Sequence, residues 1–202
     1  NPVISKMLKY RFSGDRYGKD ADLSGQKLGN LIMIALKDIT GSFDKAITLF
    51  QKTFGIKGVF LPATSQNVNI SAKTIEGKKI YGETKIDLGE YKGKRVLERV
   101  YLEPINAKAN PKVLKSIKEA DVIIAGPGDL YTTILPVLIV EKINEALKKS
   151  TALKIFIVNV ANKPFETKGY NVFDYISAVK KHLDTFPFNK IMVNKNFTPK
   201  IP

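Results

Sequence analysis

Residues 122–136 read Val-Ile-Ile-Ala-Gly-Pro-Gly-Asp-Leu-Tyr-Thr-Thr-Ile-Leu-Pro, and this stretch decides the fold. The short apolar run at its start is typical of a buried strand, which ends at Gly-Pro-Gly. Pro136 suits the first turn of a helix, because proline has no N–H to leave unpaired there. A strand, a glycine turn and a helix start hold phosphate in open α/β folds, since free N–H groups face the anion. An ordinary tight strand-to-helix connection explains the same spacing equally well.

The sequence on both sides of this stretch continues the alternation of strands and helices. Further strands are predicted over 155–160 and 190–194, and helices over 111–120, 137–147 and 172–183. The strands lack a regular change between apolar and polar residues, so we expect a mainly parallel sheet covered by helices on both faces. The fold class predicted from this pattern is α/β.

Residues 58–104 have a different pattern, which predicts an inserted, antiparallel β-rich lobe. Strands are expected over 59–63, 68–74, 80–84 and 96–103, with a two-residue turn at Glu76-Gly77. Before this lobe, two amphipathic helices are predicted. The first opens at Ser24 or Gly25 and ends near Gly41, and the second begins after Ser42, a favourable N-cap.

Composition excludes several kinds of chemistry. The 202 residues contain no cysteine and one histidine, His182, so thiolate zinc sites, cysteine nucleophiles and a Ser-His-Asp triad are not expected. Any metal would need oxygen ligands, which favours magnesium over zinc, and no metal site is predicted. The net charge of +14 attracts anions, but the lysines are spread along the chain and the aromatic residues fall mostly on apolar stripes. We therefore expect no nucleic-acid partner, and no apolar run is long enough for a membrane span.

Four segments carry polar or glycine-rich residues where a parallel sheet would present a ligand site, and one of them, Leu61-Pro62-Ala63-Thr64, says little by itself. The candidate nucleotide- or phosphate-binding residues are Gly25, Lys27, Gly29, Asn30, Gly126, Pro127, Gly128, Leu130, Tyr131, Thr132 and Thr133. Tyr131 could stack on a base or sugar, and the threonines could donate to phosphate or only cap the helix. The candidates for the base or sugar side are Asn159, Glu166 and Thr167. A loose helix entry explains the 25–30 segment more simply, whereas the length of the 159–170 segment argues against a plain surface loop.

Taken together, these segments resemble the gluconeogenesis factor family, the relatives of 2-phospho-lactate transferase. The matching pieces are Tyr10-Arg11-Phe12, Gly25-Gln26-Lys27-Leu28-Gly29-Asn30-Leu31, Leu61-Pro62-Ala63-Thr64, Gly82-Glu83, Leu102-Glu103-Pro104, Ala120-Asp121, the 126–136 string, and Asn159 with Pro164, Glu166, Thr167, Gly169 and Tyr170. Their order and approximate spacing match as well.

The resemblance implies a Rossmann-like three-layer α/β domain over residues 1–202. It implies a cytoplasmic bacterial protein that binds a nucleotide sugar such as UDP-glucose or UDP-N-acetylglucosamine. The implied role is support of gluconeogenic growth and of cell-wall synthesis and cell shape. We also expect a homo-oligomer. The alternative is a transferase of the 2-phospho-lactate type, which would use magnesium and a nucleotide-activated substrate.

Two departures from the family pattern affect these expectations. Family members begin with a strand, a glycine-rich loop and an aspartate-rich segment, and this chain resembles the part that follows them. The family also usually has Gly-His where this chain has Gly25-Gln26. Glutamine forms hydrogen bonds but does not transfer protons near neutral pH, so a binding role is favoured over catalysis and no catalytic residue is assigned.

Overall fold

The computed structural model describes residues 2–12, 23, 25–94 and 96–196. The chain divides into two compact units, Asn1–Pro62 and Ala63–Pro202. Each unit is considered by itself below. None of the helices in the described ranges has the length and apolar character that crossing a bilayer demands.

The first unit is helical. Its helices are α1 (Pro2–Lys9), α2 (Leu28–Thr40) and α3 (Phe43–Thr53). Gly41 ends α2 in the left-handed conformation, and the Ser42 hydroxyl accepts from the Lys45 amide, which confirms the predicted cap. The prediction that α2 opens at Gly25 is wrong, because Lys27 is extended and pairs with Arg11 in an isolated bridge. The other predicted start, Ser24, lies outside the described residues.

The second unit begins with a three-stranded antiparallel sheet, as the sequence predicted. Its strands are β1 (Asn69–Thr74), β2 (Lys79–Tyr81) and β3 (Leu97–Glu103), in the order β2-β1-β3. One face packs on the core through Ala72, Ile80, Val100 and Leu102. Residues 59–63 form no strand, and Pro62 lacks the N–H that a sheet ladder requires.

The return strand β2 is shorter than predicted. Gly82 adopts a φ of +91°, which turns the chain out of the sheet, and helix α4 (Glu83–Asp87) follows. The predicted strand over 80–84 is therefore wrong beyond Tyr81.

The second sheet is parallel and contains the decisive stretch. Strands β4 (Val122–Ala125), β5 (Leu153–Ile157) and β6 (Lys190–Met192) lie side by side in chain order. Helix α5 (Pro111–Glu119) precedes β4, with Pro111 in its first turn and Asn110 as its cap, and α8 (Val172–Leu183) precedes β6. A parallel sheet, an antiparallel sheet and interleaved helices confirm the α/β class.

Only one face of this parallel sheet is buried in the described part of the chain. Ile123 and Ala125 are half-buried on that face, and Phe156 is fully buried there. On the other face, Val122 is 49% exposed and Ile124 58% exposed. The helices of the described residues thus leave this second face partly open.

The helix predicted over 137–147 is broken. A π-helical turn (Leu130–Ile134) leads into the short α6 (Leu135–Leu138), and α7 (Ile143–Lys149) begins after an interruption. The Glu141 amide leaves the helical pattern and donates to the Ala107 carbonyl at 3.1 Å. Lys142 then takes a φ of +70°, which ends any continuous helix there.

Candidate functional site

The glycine turn and the loop after β5 meet at the carboxyl edge of the parallel sheet. Residues 126–128 follow β4, and Asn159 stands just beyond the end of the neighbouring strand β5. The Asn159 side-chain oxygen accepts from the Gly128 amide at 3.0 Å. Two segments that the sequence analysis selected separately are thus in direct contact, at the edge where open α/β sheets place ligands.

The two glycines of the turn have different roles. Gly126 has a φ of +86°, and a Cβ atom there would lie 2.7 Å from the Ile157 carbonyl oxygen, so the fold requires glycine. A Cβ atom on Gly128 would meet only ordinary contacts, the nearest being Ile134 at 3.5 Å. Packing therefore does not require glycine at 128, although its lack of a side chain leaves the backbone open to approach.

The amides at the start of the π-helical turn are already engaged. The buried Glu166 carboxylate accepts from the Tyr131 amide at 2.8 Å, the Thr132 amide at 3.3 Å and the Thr132 hydroxyl at 2.7 Å. The amides of Thr133 and Ile134 both donate to the Asp129 carbonyl at 2.9 Å. The expectation that these N–H groups are free for phosphate is therefore wrong.

Fewer donors remain available near the turn. No hydrogen bond from the amide of Asp129 or Leu130 is found among the described residues, but Leu130 is fully buried. The Asn159 side-chain oxygen accepts from the Gly128 amide, and the NH₂ group of the same side chain is still able to donate. Thr133 is exposed. A cavity of about 380 Å³ lies beside the turn and is lined by Gly126, Pro127 and Thr133 together with apolar side chains of α5, α7 and β4.

Three carboxylates surround a lysine next to this turn. The Lys163 ammonium lies 2.8 Å from Asp129 Oδ2 and 3.9 Å from Glu166 Oε1, and it also contacts Asp87. Burial alone would lower the pKa of Lys163, but its hydrogen bonds to Asp129 and Asp87 raise it above the usual value. The lysine therefore remains a cation in this position.

The same carboxylates have the chemistry of a magnesium site, but their oxygens already have protein partners. Asp87, Asp129 and Glu166 each offer an oxygen within 4.8 Å of the others. Lys163 lies among them, and the Glu166 oxygens accept three protein hydrogen bonds. As arranged, the cluster does not fit a resident metal ion.

Several predicted ligand contacts are used for internal structure instead. Tyr131 is 2% exposed, and its hydroxyl pairs with that of Tyr170 at 2.9 Å, so its ring is not available for stacking. Glu166 is 2% and Thr167 1% exposed. The Thr167 hydroxyl accepts from the Lys163 amide at 2.9 Å and from Tyr175 at 3.2 Å. Glu166 and Thr167 thus hold the loop and the turn in place, a role that no sequence pattern indicates.

The amino-terminal candidates belong to the first unit. Gly25 is buried with a φ of +72°, and its amide donates to the Phe12 carbonyl at 3.1 Å. A Cβ atom on Gly29 would lie 2.9 Å from the Leu8 carbonyl oxygen, so close helix packing explains that glycine. Lys27 and Asn30 are exposed at the start of α2. Their predicted contact with a nucleotide stays a prediction.

Lys163, Asp87 and Asp129 were missed as functional candidates by the sequence analysis. Lys163 lies within the loop that was singled out, but Asp87 is 76 residues away along the chain. Nothing in the local pattern links them, because the helix α4, which carries Asp87, was not predicted, and the strand predicted over 80–84 ended before Asp87. Only the fold reveals this cluster.

These features define an α/β protein with a glycine turn and an amide-bearing loop joined at the carboxyl edge of its parallel sheet. The family model described as 2-phospho-L-lactate transferase CofD matches residues 1–201, and the chain belongs to this family.

Characterised relatives support the same placement. The gluconeogenesis factor of Bacillus subtilis is 38% identical over 198 residues, which is 98% of this chain and 60% of that protein. The gluconeogenesis factor of Listeria innocua is 35% identical over 200 residues, 99% of this chain and 59% of that protein. The chain therefore spans somewhat more than half of the length of these relatives.

A solved structure shows the same fold. The crystal structure of a Bacillus halodurans protein described as a member of the upf0052 family superposes with a TM-score of 0.83 at 34% identity. The match covers 97% of this chain and 60% of that one. Sequence and structural similarity thus agree on the family over nearly all of the chain.

Proposed function

We propose that this chain is a nucleotide-sugar-binding regulatory protein of the gluconeogenesis factor type. The observation that carries the proposal is the contact of Asn159 with the Gly128 amide, which joins two strand ends at the carboxyl edge of the parallel sheet. In open α/β sheets this edge is where nucleotides bind. UDP-glucose and UDP-N-acetylglucosamine are the ligands that we propose.

The phosphate contacts differ from those that the sequence suggested. The helix-start amides are held by Glu166 and the Gly128 amide by Asn159, so the diphosphate would instead meet the Asn159 NH₂ group and the Thr133 hydroxyl, and Gly128 would leave room for its approach. The adjacent cavity of about 380 Å³ lies within the usual size range of small-molecule sites. Its mostly apolar lining suits a sugar or base face rather than phosphate.

The names of the relatives support a proposal for the cellular role. Relatives named gluconeogenesis factor cover almost the whole of this chain. We propose that nucleotide-sugar binding lets the protein support growth on gluconeogenic carbon sources and cell-wall and cell-shape homeostasis, as a cytoplasmic homo-oligomer.

The substitution Asn159→Asp tests the binding site directly. Aspartate keeps an oxygen for the Gly128 amide but replaces the NH₂ donor with a negative charge that repels phosphate. In isothermal titration calorimetry with UDP-N-acetylglucosamine and UDP-glucose, we expect the dissociation constant to rise by about tenfold or more. Thermal unfolding should show that the fold is retained.

Asn189→Asp is the matched control for this substitution. The Asn189 side-chain oxygen also accepts a hydrogen bond from a backbone amide, that of Lys154, at 3.0 Å. Asn189, however, lies just before β6, at the opposite edge of the sheet. Asn189→Asp brings the same change in charge as Asn159→Asp and should leave the affinity for UDP-sugars unaltered. Equal losses in both variants, or no heat of binding with the unsubstituted chain, would overturn the proposal.

The transferase alternative is not adopted for this chain. The carboxylates that could hold magnesium are bound by Lys163 and by the turn amides. The binding function therefore explains more of the observed contacts.

A further inference from the structure

The antiparallel sheet of the second unit presents an ordered outer face. Ser71 on β1 lies directly between Tyr81 on β2 and Tyr101 on β3. Residues opposite each other on neighbouring strands point to the same face, so the two tyrosines flank the serine in one row. Neighbouring strands are about 4.8 Å apart, which separates the tyrosine positions by about 10 Å.

A row of cations lies beside the row of tyrosines. Lys73 on β1 pairs with Lys79 on β2 and with Arg99 on β3, which places three basic residues side by side. Like charges directly opposite each other destabilise a sheet. Such a row therefore has a cost in folding that a bound polyanion would offset.

The carboxylates nearby only partly neutralise these cations. Lys73 lies 3.3 Å from Glu98, and Lys79 lies 2.7 Å from Glu103. Glu98 is shared with Lys181, at 3.1 Å. Three lysines thus share two carboxylates, and the Arg99 guanidinium donates to the Lys181 carbonyl at 2.6 Å, so the face keeps an excess of positive charge.

The flanks of this face are accessible, whereas Ser71 between the two tyrosines is fully buried. Tyr81 is 59% exposed, with the Lys79 ammonium 4.7 Å from its ring centre. A depression of about 440 Å³ is lined by Lys73, Lys79 and Tyr101 together with neighbouring residues of the turn and of β3. Tyr101 also lines a second depression, of about 200 Å³, which includes Arg99. Each tyrosine therefore offers part of its ring next to a cation.

We propose that this outer face of the β2-β1-β3 sheet binds single-stranded nucleic acid. Two separated tyrosines offer platforms for stacked bases, and the adjacent Lys79-Lys73-Arg99 row follows the phosphates. An acidic peptide would use the cations but would gain nothing from the tyrosines. The sequence analysis expected no nucleic acid because the basic residues are scattered along the chain, but the strand register brings these residues together.

Fluorescence anisotropy with a labelled 12-nucleotide oligothymidylate tests the proposal on the full chain. The double substitution Lys73→Ala/Lys79→Ala removes two phosphate contacts. The slope of the logarithm of the association constant against the logarithm of the salt concentration should then become less steep by about 1.4. Tyr81→Leu and Tyr101→Leu should each weaken binding by about fivefold or more at constant salt.

Matched controls separate this face from general charge attraction. Lys115 and Lys149 are exposed in helical ion pairs, so Lys115→Ala/Lys149→Ala removes the same charge elsewhere. Phe173 is 78% exposed on α8, and Phe173→Leu removes an aromatic ring elsewhere. Both should leave affinity and salt slope unchanged, and circular dichroism should show all variants folded.

The proposal fails if the unsubstituted chain does not bind the oligonucleotide at low salt. It also fails if the control variants lose as much affinity as the variants of the face. The proposal fails, thirdly, if a polyglutamate peptide binds as tightly as the oligonucleotide and the tyrosine substitutions do not change its affinity. The face would then bind an acidic protein.

Discussion

Glu166 shows how one side chain fixes the geometry of the turn. Its carboxylate accepts from the buried Tyr131 amide and from the partly buried amide and hydroxyl of Thr132. Burial raises the pKa of this carboxyl group, and the hydrogen bonds from Thr132 and Tyr131 oppose that rise. The anion that the sequence analysis expected to come from a ligand is thus supplied by the protein.

Two substitutions of Glu166 distinguish hydrogen bonding from charge. Glu166→Gln keeps an oxygen for the amides and can donate to the Thr132 hydroxyl, so we expect a loss of about 1 kcal/mol or less in the free energy of unfolding. Glu166→Leu leaves those donors buried and unpaired, with an expected loss of about 3 kcal/mol or more. Chemical denaturation measures both values.

Glu119→Leu is the control, because Glu119 is 63% exposed and its only described ion pair is at 3.9 Å. That change should alter the free energy of unfolding by less than about 0.5 kcal/mol. Equal losses for the glutamine and leucine variants of Glu166 would show that charge, rather than hydrogen bonding, holds the turn.

At the scale of elements, His182 connects helix α8 to strand β3. Its Nε2 accepts from the Val100 amide at 2.9 Å, so the proton must lie on Nδ1, which donates to the Ala178 carbonyl at 2.7 Å. Burial lowers the pKa of His182 to about 4, and the nearby cations Arg99 and Lys181 add to this. The imidazole is therefore neutral at physiological pH, and its role is structural.

This arrangement predicts a specific pH dependence. Between pH 6.5 and about 4 the unfolded chain binds a proton at His182 that the folded chain does not, so stability falls as the pH falls through this window. The contribution is about 1–3 kcal/mol. Because the chain has one histidine, its imidazole signal in proton NMR needs no assignment and should stay constant from pH 7.5 to 5. A titration midpoint near 6.5 would contradict this prediction.

Sequence patterns predicted the elements that depend on local rules. The Ser42 cap, the start of α5 at Pro111 and the parallel and antiparallel strands all follow from cap chemistry and periodicity. The break before α7 was not predictable, because a tertiary hydrogen bond from Glu141 to Ala107 causes it.

For the candidate site, the sequence predicted the position but not the internal contacts. The sequence located the turn and the loop of the site, because glycine and amide residues at strand ends mark them. It missed how their polar groups are paired, since that depends on Glu166 and Lys163 folding back over the turn.

At the scale of the whole chain, the open face of the parallel sheet is the most unusual surface. Val122 and Leu153 pair across β4 and β5 and are 49% and 43% exposed, and Met192 on β6 is 54% exposed. Parallel sheets are normally buried on both faces, and contiguous apolar patches of this kind attract other apolar groups. The described part of the chain therefore carries a hydrophobic surface that solution probes should detect.

Ile124 and Ile123 provide a matched test of this surface, because they are the same residue type on opposite faces of β4. Ile124 is 58% exposed, so Ile124→Ser should reduce the fluorescence of bound anilinonaphthalene sulfonate and cost less than about 1 kcal/mol of unfolding free energy. Ile123 faces the core, so Ile123→Ser should cost about 2–4 kcal/mol and increase dye binding. If Ile124→Ser is as destabilising as Ile123→Ser, the outer face is covered in solution, and β4 is then buried on both sides, as its apolar sequence first indicated.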